Sequence, residues 1–211
     1  MAWLLGCFAV VLAANMMFAV RQSQHGDRCT KPLLMPLLIL YYVFSANPSN
    51  GWVVGALVFG FLGDVFLLGQ KEIFFKAGVI AFLLGNVCYA VAFWKVSGGL
   101  TQPLLLWLLV PYSVAGGILM LWLWRYLGVQ KIPVLIYLLV IFVMSWTSWF
   151  SVVAGSRPTA VIGVVGSLLF IFSDVLLTVK VFVKPQKTVQ ALVMLLYGLA
   201  QVSLMGSFLV W

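Results

Sequence analysis

Long apolar runs separated by short polar or basic connections dominate the sequence. They predict helices near residues 2–20, 32–46, 51–69, 75–95, 103–124, 132–150, 158–179 and 188–210. Most of these runs approach the roughly 20 apolar residues that a helix needs to cross a bilayer, and no alternation typical of a membrane β-barrel is visible. The predicted fold class is all-α, a polytopic membrane bundle of eight transmembrane helices in one domain over residues 1–211.

Two of these helices need comment. The first run, Trp3 to Val20, lacks the basic start and small-residue cleavage site of a signal peptide, so we expect it to be the first helix. The second is short and carries Pro36, so we expect it to be kinked, tilted or extended.

The composition agrees with a membrane protein. Hydrophobic residues make up 64% of the chain and charged residues 8%, and the mean hydropathy is +1.17, which excludes an ordinary soluble domain. The net charge of +8 is carried by residues at helix ends. Such cations face lipid headgroups, so we expect membrane lipid as a partner and no nucleic acid.

The cations also predict the orientation. Ten of the 12 Lys and Arg residues fall in alternate connections, and only Lys95 and Arg157 fall on the other side. Because cytoplasmic loops retain positive charge, both termini are expected on the non-cytoplasmic side of a bacterial inner membrane. The oligomeric state is left open by this pattern.

The two halves of the sequence contain similar segments. FLGDVFLLGQK around Asp64 resembles IFSDVLLTVK around Asp174, 110 residues later, and TKPLLMPLLILYY resembles QKIPVLIYLL. This suggests a four-plus-four internal repeat in which the third and seventh helices are equivalent. The alternative is a chance likeness between apolar helices of simple composition.

Asp64 and Asp174 are the two carboxylates predicted within the membrane, since Asp27 and Glu72 fall in predicted loops. Each lies six or seven residues before the next lysine, roughly 9–10 Å from the cytoplasmic end. Ionisable groups at such depth usually face a polar cavity or a partner. The structural alternatives are a hydrogen bond to a neighbouring helix, or a side chain that reaches the headgroups.

Two carboxyl groups in one cavity tend to share a proton, so that one is neutral and the other ionised. Such a pair supplies an acid and a base together. Further polar residues are candidates for lining the same cavity, namely Asn86, Tyr89, Tyr137, Tyr197 and Gln201. The alternatives are interfacial anchoring for the tyrosines and helix-to-helix hydrogen bonds for the two amides.

Several chemistries are disfavoured by the residue inventory. His25 is the one histidine and lies in a basic connection, and Cys7, Cys29 and Cys88 are scattered, so neither a zinc site nor a Ser-His-Asp triad is expected. The sequence contains no P-loop or GxGxxG fingerprint. We therefore expect no metal and no cofactor.

Five segments carry a resemblance to a known family. They are TKPLLMP at 30–36, FLGDVFLL at 61–68, GVIAFLLGNVCY at 78–89, LLFIFSDVLL at 168–177 and LYGLAQ at 196–201. In this order they are similar to the YhhN family, the bacterial and animal lysoplasmalogenases. The resemblance implies an eight-helix membrane enzyme that hydrolyses the vinyl ether bond of lysoplasmalogens to a fatty aldehyde and a glycerophospho-base.

By position, the resemblance assigns Asp64 and Asp174 to the two acidic motifs, Lys31 to a Lys-Pro motif, and Tyr197 and Gln201 to a polar pair in the last helix. Asn86 is a departure, because the family pattern leads us to expect a histidine there. That substitution shifts the proton chemistry further onto the aspartates.

The residues suit this chemistry independently. A neutral Asp can protonate the β carbon of a vinyl ether, and an ionised Asp can stabilise the cation and activate water. A lysophospholipid would then place its phosphate near Lys31, Lys71 or Lys180. Two other functions use the same features: a proton-coupled transporter of small molecules or lipids, and a non-catalytic lipid-binding or assembly factor.

Overall fold

The computed structural model describes residues 2–21, 23–69, 71–98, 104–155, 158–184 and 189–209, and the regular structure in these ranges is helical. The helices are α1 (Ala2–Arg21), α2 (Gln24–Ser45), α3 (Gly51–Phe66), α4 (Glu72–Val96), α5 (Leu104–Trp107), α6 (Leu109–Leu123), α7 (Lys131–Val153), α8 (Ala160–Thr178) and α9 (Val189–Gly206). A 3-10 turn, Gly128–Gln130, precedes α7, and a π-helical turn, Val179–Val183, extends α8. Residues 103, 188 and 210 at predicted helix ends, and the cations Arg157 and Lys187, lie outside the described residues.

The second helix begins earlier than its apolar run predicted. The Ser23 hydroxyl accepts a hydrogen bond from the backbone N–H of Gly26, which caps α2 at its N-terminus. The placement of Asp27 in a loop was therefore wrong, because Asp27 lies in the first turn of α2. Glu72 likewise is the first residue of α4 and not a loop residue.

The third helix is shorter than predicted. It ends at Phe66, because a turn follows in which the N–H of Leu67 donates to the carbonyl of Gly63 and that of Gly69 to Phe66. Asp64 therefore lies in the last turn of α3, whereas Asp174 is followed by the rest of α8 and the π-helical turn. The two acidic motifs differ in the backbone that follows them.

Within the described ranges, six helical segments are long and apolar enough to cross a membrane. They are Ala2–Arg21, Glu72–Val96, Leu105–Leu123, Gly128–Val153, Ala160–Val183 and Val189–Gly206. The chain is thus an all-α integral membrane protein, as predicted. The count of eight and the internal repeat stay predictions, because α3 has 16 residues and α2 opens with a polar first turn.

Seven of the described helices pack in a closed ring. Going round the ring, each helix contacts the next in the order α1, α2, α3, α4, α7, α8 and α9, and α9 returns to α1. The segment α5–α6 packs on the outside of α7. The principal cluster of buried apolar residues draws on α1, α2, α3, α4, α7, α8 and α9, so the ring has a common core.

Glycine permits the close approach of α8 and α9. A Cβ atom on Gly166 would lie 2.8 Å from the backbone nitrogen of Leu204 and 3.1 Å from the carbonyl oxygen of Ala200. Such small residues let transmembrane helices approach closely when lipid offers no hydrophobic driving force between them. The close packing fixes α9 beside α8, and with it the position of the polar residues that both helices carry.

Candidate active site

Asp64 and Asp174 line the same internal cavity. This cavity has a volume of about 50 Å³ and receives Lys31 from α2 and Tyr197 from α9 in addition to the two aspartates. Its other lining residues are Leu67, Phe82, Ser173, Leu177, Gln190, Val193 and Met194. Two carboxylates separated by 110 positions in the sequence are therefore brought to one site.

Asp64 contacts a cation and a hydroxyl donor. Its side chain is 1% exposed, and its Oδ1 lies 3.4 Å from the Nζ of Lys31, whose own side chain is 10% exposed. The hydroxyl of Tyr197 donates a hydrogen bond of 3.0 Å to the other oxygen, Oδ2. A cation and a hydroxyl donor at one carboxyl group both favour its ionised form.

Asp174 has a different partner. The hydroxyl of Tyr137, on α7, donates a 2.7 Å hydrogen bond to Oδ2 of Asp174. No salt bridge to Asp174 occurs within the described residues. This carboxyl group is 8% exposed and also borders an apolar groove. A buried carboxyl group without a cation is suited to hold a proton.

The apolar groove lies beside Asp174. It has a volume of about 280 Å³ and runs between α4, the start of α7 and the end of α8. Apolar residues predominate in its lining, including Phe75, Val79, Ile80, Val134 and Phe182. Its volume and apolar lining suit a hydrocarbon chain.

A charged vestibule lies beside Lys31. Its volume is about 440 Å³, and its polar lining residues are Ser23, Asp27, Lys31, Lys180 and Gln190. Leu67 and Leu177 border the groove, the central cavity and the vestibule alike. The groove and the vestibule also share Phe75 and Val181, so each of the three spaces adjoins the other two.

Behind Tyr197 lies a second group of polar residues. The Tyr89 hydroxyl donates a 2.9 Å hydrogen bond to Oε1 of Gln201, which lies one turn after Tyr197 on α9. Gly60 of α3 lies against both residues, since a Cβ there would be 3.4 Å from the Tyr197 hydroxyl and 3.5 Å from Nε2 of Gln201. The Tyr89–Gln201 hydrogen bond therefore lies beside the one between Tyr197 and Asp64.

Asn86 lies near Tyr89 and Gln201, but its amide donates to another residue. Its Nδ2 donates to the carbonyl of Phe82 on the same helix, 2.9 Å away. Its buried Oδ1 has no hydrogen-bond partner among the described residues. Asn86, Tyr89 and Gln201 border a small void next to the central cavity, so the structure places them behind its wall. Their direct contact with a substrate stays a prediction.

Of the predicted site residues, Lys31, Asp64, Asp174 and Tyr197 meet in the cavity, and Tyr137 joins them through Asp174. Of the three lysines proposed for a phosphate, Lys31 and Lys180 line the vestibule, and Lys71 is absent from its lining. The sequence analysis missed Gln190, Ser173, Asp27 and Asn15. A buried Asn15 in an otherwise apolar helix was the signal that could have been used.

Metal binding is not indicated by the described residues, among which no three His, Cys, Asp or Glu side chains lie together. What the arrangement offers instead is one carboxyl group beside a cation and one beside an apolar groove. Such a pair can act as base and acid on a single substrate.

Comparison with known proteins adds a family and two relatives. The model of the YhhN family matches residues 26–208, a range that contains every candidate site residue. Lysoplasmalogenase TMEM86A from Bos taurus is 31% identical over 159 residues, and Lysoplasmalogenase TMEM86A from Homo sapiens is 31% identical over 160 residues. Each match covers 74% of this chain and 64% of the relative, so the chain spans a little under two thirds of their length. No solved structure matches the chain significantly.

Proposed function

The chain belongs to the YhhN family, and we propose that it is a membrane hydrolase that cleaves the vinyl ether bond of lysoplasmalogens. The products are a fatty aldehyde and a glycerophospho-base. One observation carries the proposal: both intramembrane carboxylates line one cavity that adjoins an apolar groove and a charged vestibule. The names of the two curated relatives support the same reaction.

The three adjoining spaces suit the three parts of a lysophospholipid. The alkenyl chain lies in the groove, the vinyl ether in the cavity and the headgroup in the vestibule. The two carbons of the vinyl ether then face different aspartates. The β carbon, on the chain side, is nearer Asp174, which borders the groove. The α carbon, which carries the ether oxygen, is nearer Asp64 and Lys31, on the vestibule side.

Asp174 is assigned as the acid. It shares a wall with the apolar groove, and its Oδ2 accepts the Tyr137 hydrogen bond, so its Oδ1 carries the proton toward the substrate. Protonation of carbon is the difficult step of vinyl ether hydrolysis. An acid fixed next to the reacting carbon lowers its barrier through proximity as well as acidity.

Asp64 is assigned as the ionised group. Its pairing with Lys31 keeps it charged before substrate binds, and the Tyr197 hydroxyl fixes its orientation. A carboxylate near the α carbon stabilises the positive charge that develops there and accepts a proton from the attacking water.

The cycle balances with these two groups and one water. Asp174 transfers its proton to the β carbon, whose π electrons form the new C–H bond, and an oxocarbenium ion results. Water adds to the α carbon and gives a proton to Asp64, forming a hemiacetal. The hemiacetal hydroxyl returns a proton to Asp174 as the C–O bond breaks, and Asp64 protonates the departing glycerol oxygen. Both aspartates regain their starting states, and the route needs neither metal nor cofactor.

The membrane arrangement is part of the proposal. The helices α2 and α3 belong to the packed ring, which supports counting them with the six long spans of the described residues as eight crossings. With the basic connections in the cytoplasm, both termini face away from it, and the vestibule opens toward the inner leaflet of a bacterial inner membrane. The four-plus-four repeat is supported by the two acidic motifs that line one cavity.

The test is aldehyde release by the purified protein in nanodiscs from a 1-alkenyl lysophospholipid. Asp64→Asn and Asp174→Asn are expected to insert and fold but to lose at least about 100-fold in rate, as removal of a general acid or base does. Glu72→Gln is the matched control, because Glu72 is an exposed carboxylate that pairs with Lys76. Full activity in both aspartate variants would refute the proposal, and proton-coupled lipid flux without product formation would support a transporter instead.

A further inference from the structure

The vestibule carries two groups of opposite charge that the proposed chemistry does not use. Asp27, from the first turn of α2, and Lys180, from the π-helical turn after α8, both line it. Lys31, the other cation there, is already paired with Asp64. Within the described residues, Asp27 forms no salt bridge, and Lys180 donates a hydrogen bond to the side chain of Gln190. The vestibule therefore holds a separated anion and cation.

Asp27 is held in place by a buried amide. Asn15, on α1, is 0% exposed, and its Nδ2 donates hydrogen bonds of 2.8 Å to Oδ1 of Asp27 and to the hydroxyl of Thr30. The Thr30 hydroxyl in turn donates to the carbonyl of Gly26 at 2.8 Å. A buried amide in a membrane helix is costly unless it is hydrogen-bonded. Here the hydrogen bonds orient one half-buried carboxylate at the vestibule wall.

We propose that Asp27 and Lys180 form a binding site for a zwitterionic phospholipid headgroup, with the phosphate at Lys180 and the ammonium group at Asp27. The inference rests on the proposed function for the identity of the lipid, and it adds the residues that recognise the headgroup of that lipid. A primary ammonium donates hydrogen bonds to a carboxylate, and a quaternary one is attracted by its charge.

An aromatic residue reinforces the amine side of the site. Phe18 of α1 lines the vestibule, and its ring packs against Gly26, the residue before Asp27. Aromatic rings attract ammonium groups through their faces, and most strongly where water is excluded. An anionic headgroup without an amine would leave Asp27 as an unpaired like charge in the same space. Such a site selects by attraction to one headgroup and by repulsion of the other.

The test compares lysoplasmenyl substrates that share one alkenyl chain and carry phosphoethanolamine, phosphocholine or phosphoglycerol. Asp27→Asn keeps the Oδ1 acceptor for Asn15 and removes only the charge, so the fold is retained. We expect it to lower kcat/KM about tenfold for the two zwitterionic substrates and to leave or raise kcat/KM for phosphoglycerol. Lys180→Gln is expected to lower kcat/KM for all three substrates by a similar factor, since each has a phosphate.

Glu72→Gln is again the matched control, because it removes one negative charge elsewhere and should leave the order of preference unchanged. An equal effect of Asp27→Asn on all three headgroups, or no effect on any, would overturn the inference. Binding of the corresponding saturated lysophospholipids, followed by tryptophan fluorescence, separates this inference from the reaction. If Asp27→Asn loses the preference for zwitterionic lipids in this binding assay, the headgroup site is supported even when the wild type releases no aldehyde. Absence of aldehyde release by the wild type would refute the proposed function and leave the headgroup site standing.

Discussion

Replacement of Lys31 by methionine tests the charge of Asp64. Methionine keeps much of the length of the side chain and removes its cation from a pair in which Nζ and Oδ1 are 3.4 Å apart. At an effective dielectric constant of about 20, the attraction between two unit charges at that distance is roughly 5 kcal/mol. Loss of one partner from a buried pair typically destabilises a protein by about 3–5 kcal/mol, because the other charge is left uncompensated.

The expected response of Asp64 is to take up a proton, which removes the uncompensated charge at the expense of function. We therefore expect Lys31→Met to lower the rate of aldehyde release by roughly 100-fold, since about 3 kcal/mol of transition-state stabilisation is lost. Infrared difference spectroscopy should show an additional protonated carboxyl group. Lys71→Met is the control, because Lys71 is exposed and lies outside the vestibule lining.

A double-mutant cycle gives the strength of the interaction between Lys31 and Asp64. If burial of the Asp64 carboxyl group without its cation causes the instability of Lys31→Met, the double variant Lys31→Met/Asp64→Asn should be more stable than Lys31→Met alone. Unfolding in detergent measures the coupling free energy, for which we expect about 3 kcal/mol or more. Additive effects on stability, together with nearly wild-type aldehyde release in Lys31→Met, would refute the reasoning.

Three further predictions concern the acid, the helix packing and the junction of the cavities. Tyr137→Phe removes the 2.7 Å hydrogen bond to Asp174 and should lower kcat about tenfold with little change in KM, and unchanged steady-state kinetics would contradict the role of this contact. Gly166→Ala should destabilise the protein by roughly 1–3 kcal/mol in detergent unfolding, since its Cβ would meet backbone 2.8 Å away. Gly117→Ala, where a Cβ meets nothing within 4 Å, should stabilise slightly, and equal effects of the two changes would contradict the packing argument. Leu177→Trp should abolish aldehyde release from a folded protein by filling the space where groove, cavity and vestibule adjoin, and retained release would contradict that shared path.

The apolar pattern was sufficient to predict the all-α membrane class and the approximate position of the helices. It failed where polar residues belong to a helix. The first turn of α2 was assigned to a loop because it contains Asp27, whereas the Ser23 cap and packing on α1 make it helical. Side-chain capping and tertiary packing decide such segments, and hydropathy reports neither.

Within the site, the rarity of acidic residues in apolar helices is enough to identify Asp64 and Asp174 as candidates from the sequence alone. The sequence could not distinguish the two aspartates, because the residues around them are similar. Their difference arises from partners on other helices: Lys31 of α2 and Tyr197 of α9 at Asp64, and Tyr137 of α7 at Asp174. Long-range contacts of this kind depend on the ring order of the helices, which periodicity alone does not specify.

Proton transfer from Asp174 to carbon is the central claim, and hydrolysis in deuterium oxide tests it most directly. The aldehyde is reduced to the alcohol as it forms, so that later exchange of its hydrogens is prevented. An acid fixed on one side of the vinyl ether should place a single deuterium, in one configuration, on the carbon next to the former aldehyde carbon, and Asp174→Asn should abolish this product. Aldehyde released without deuterium at that carbon, or with both configurations in equal amount, would contradict the account.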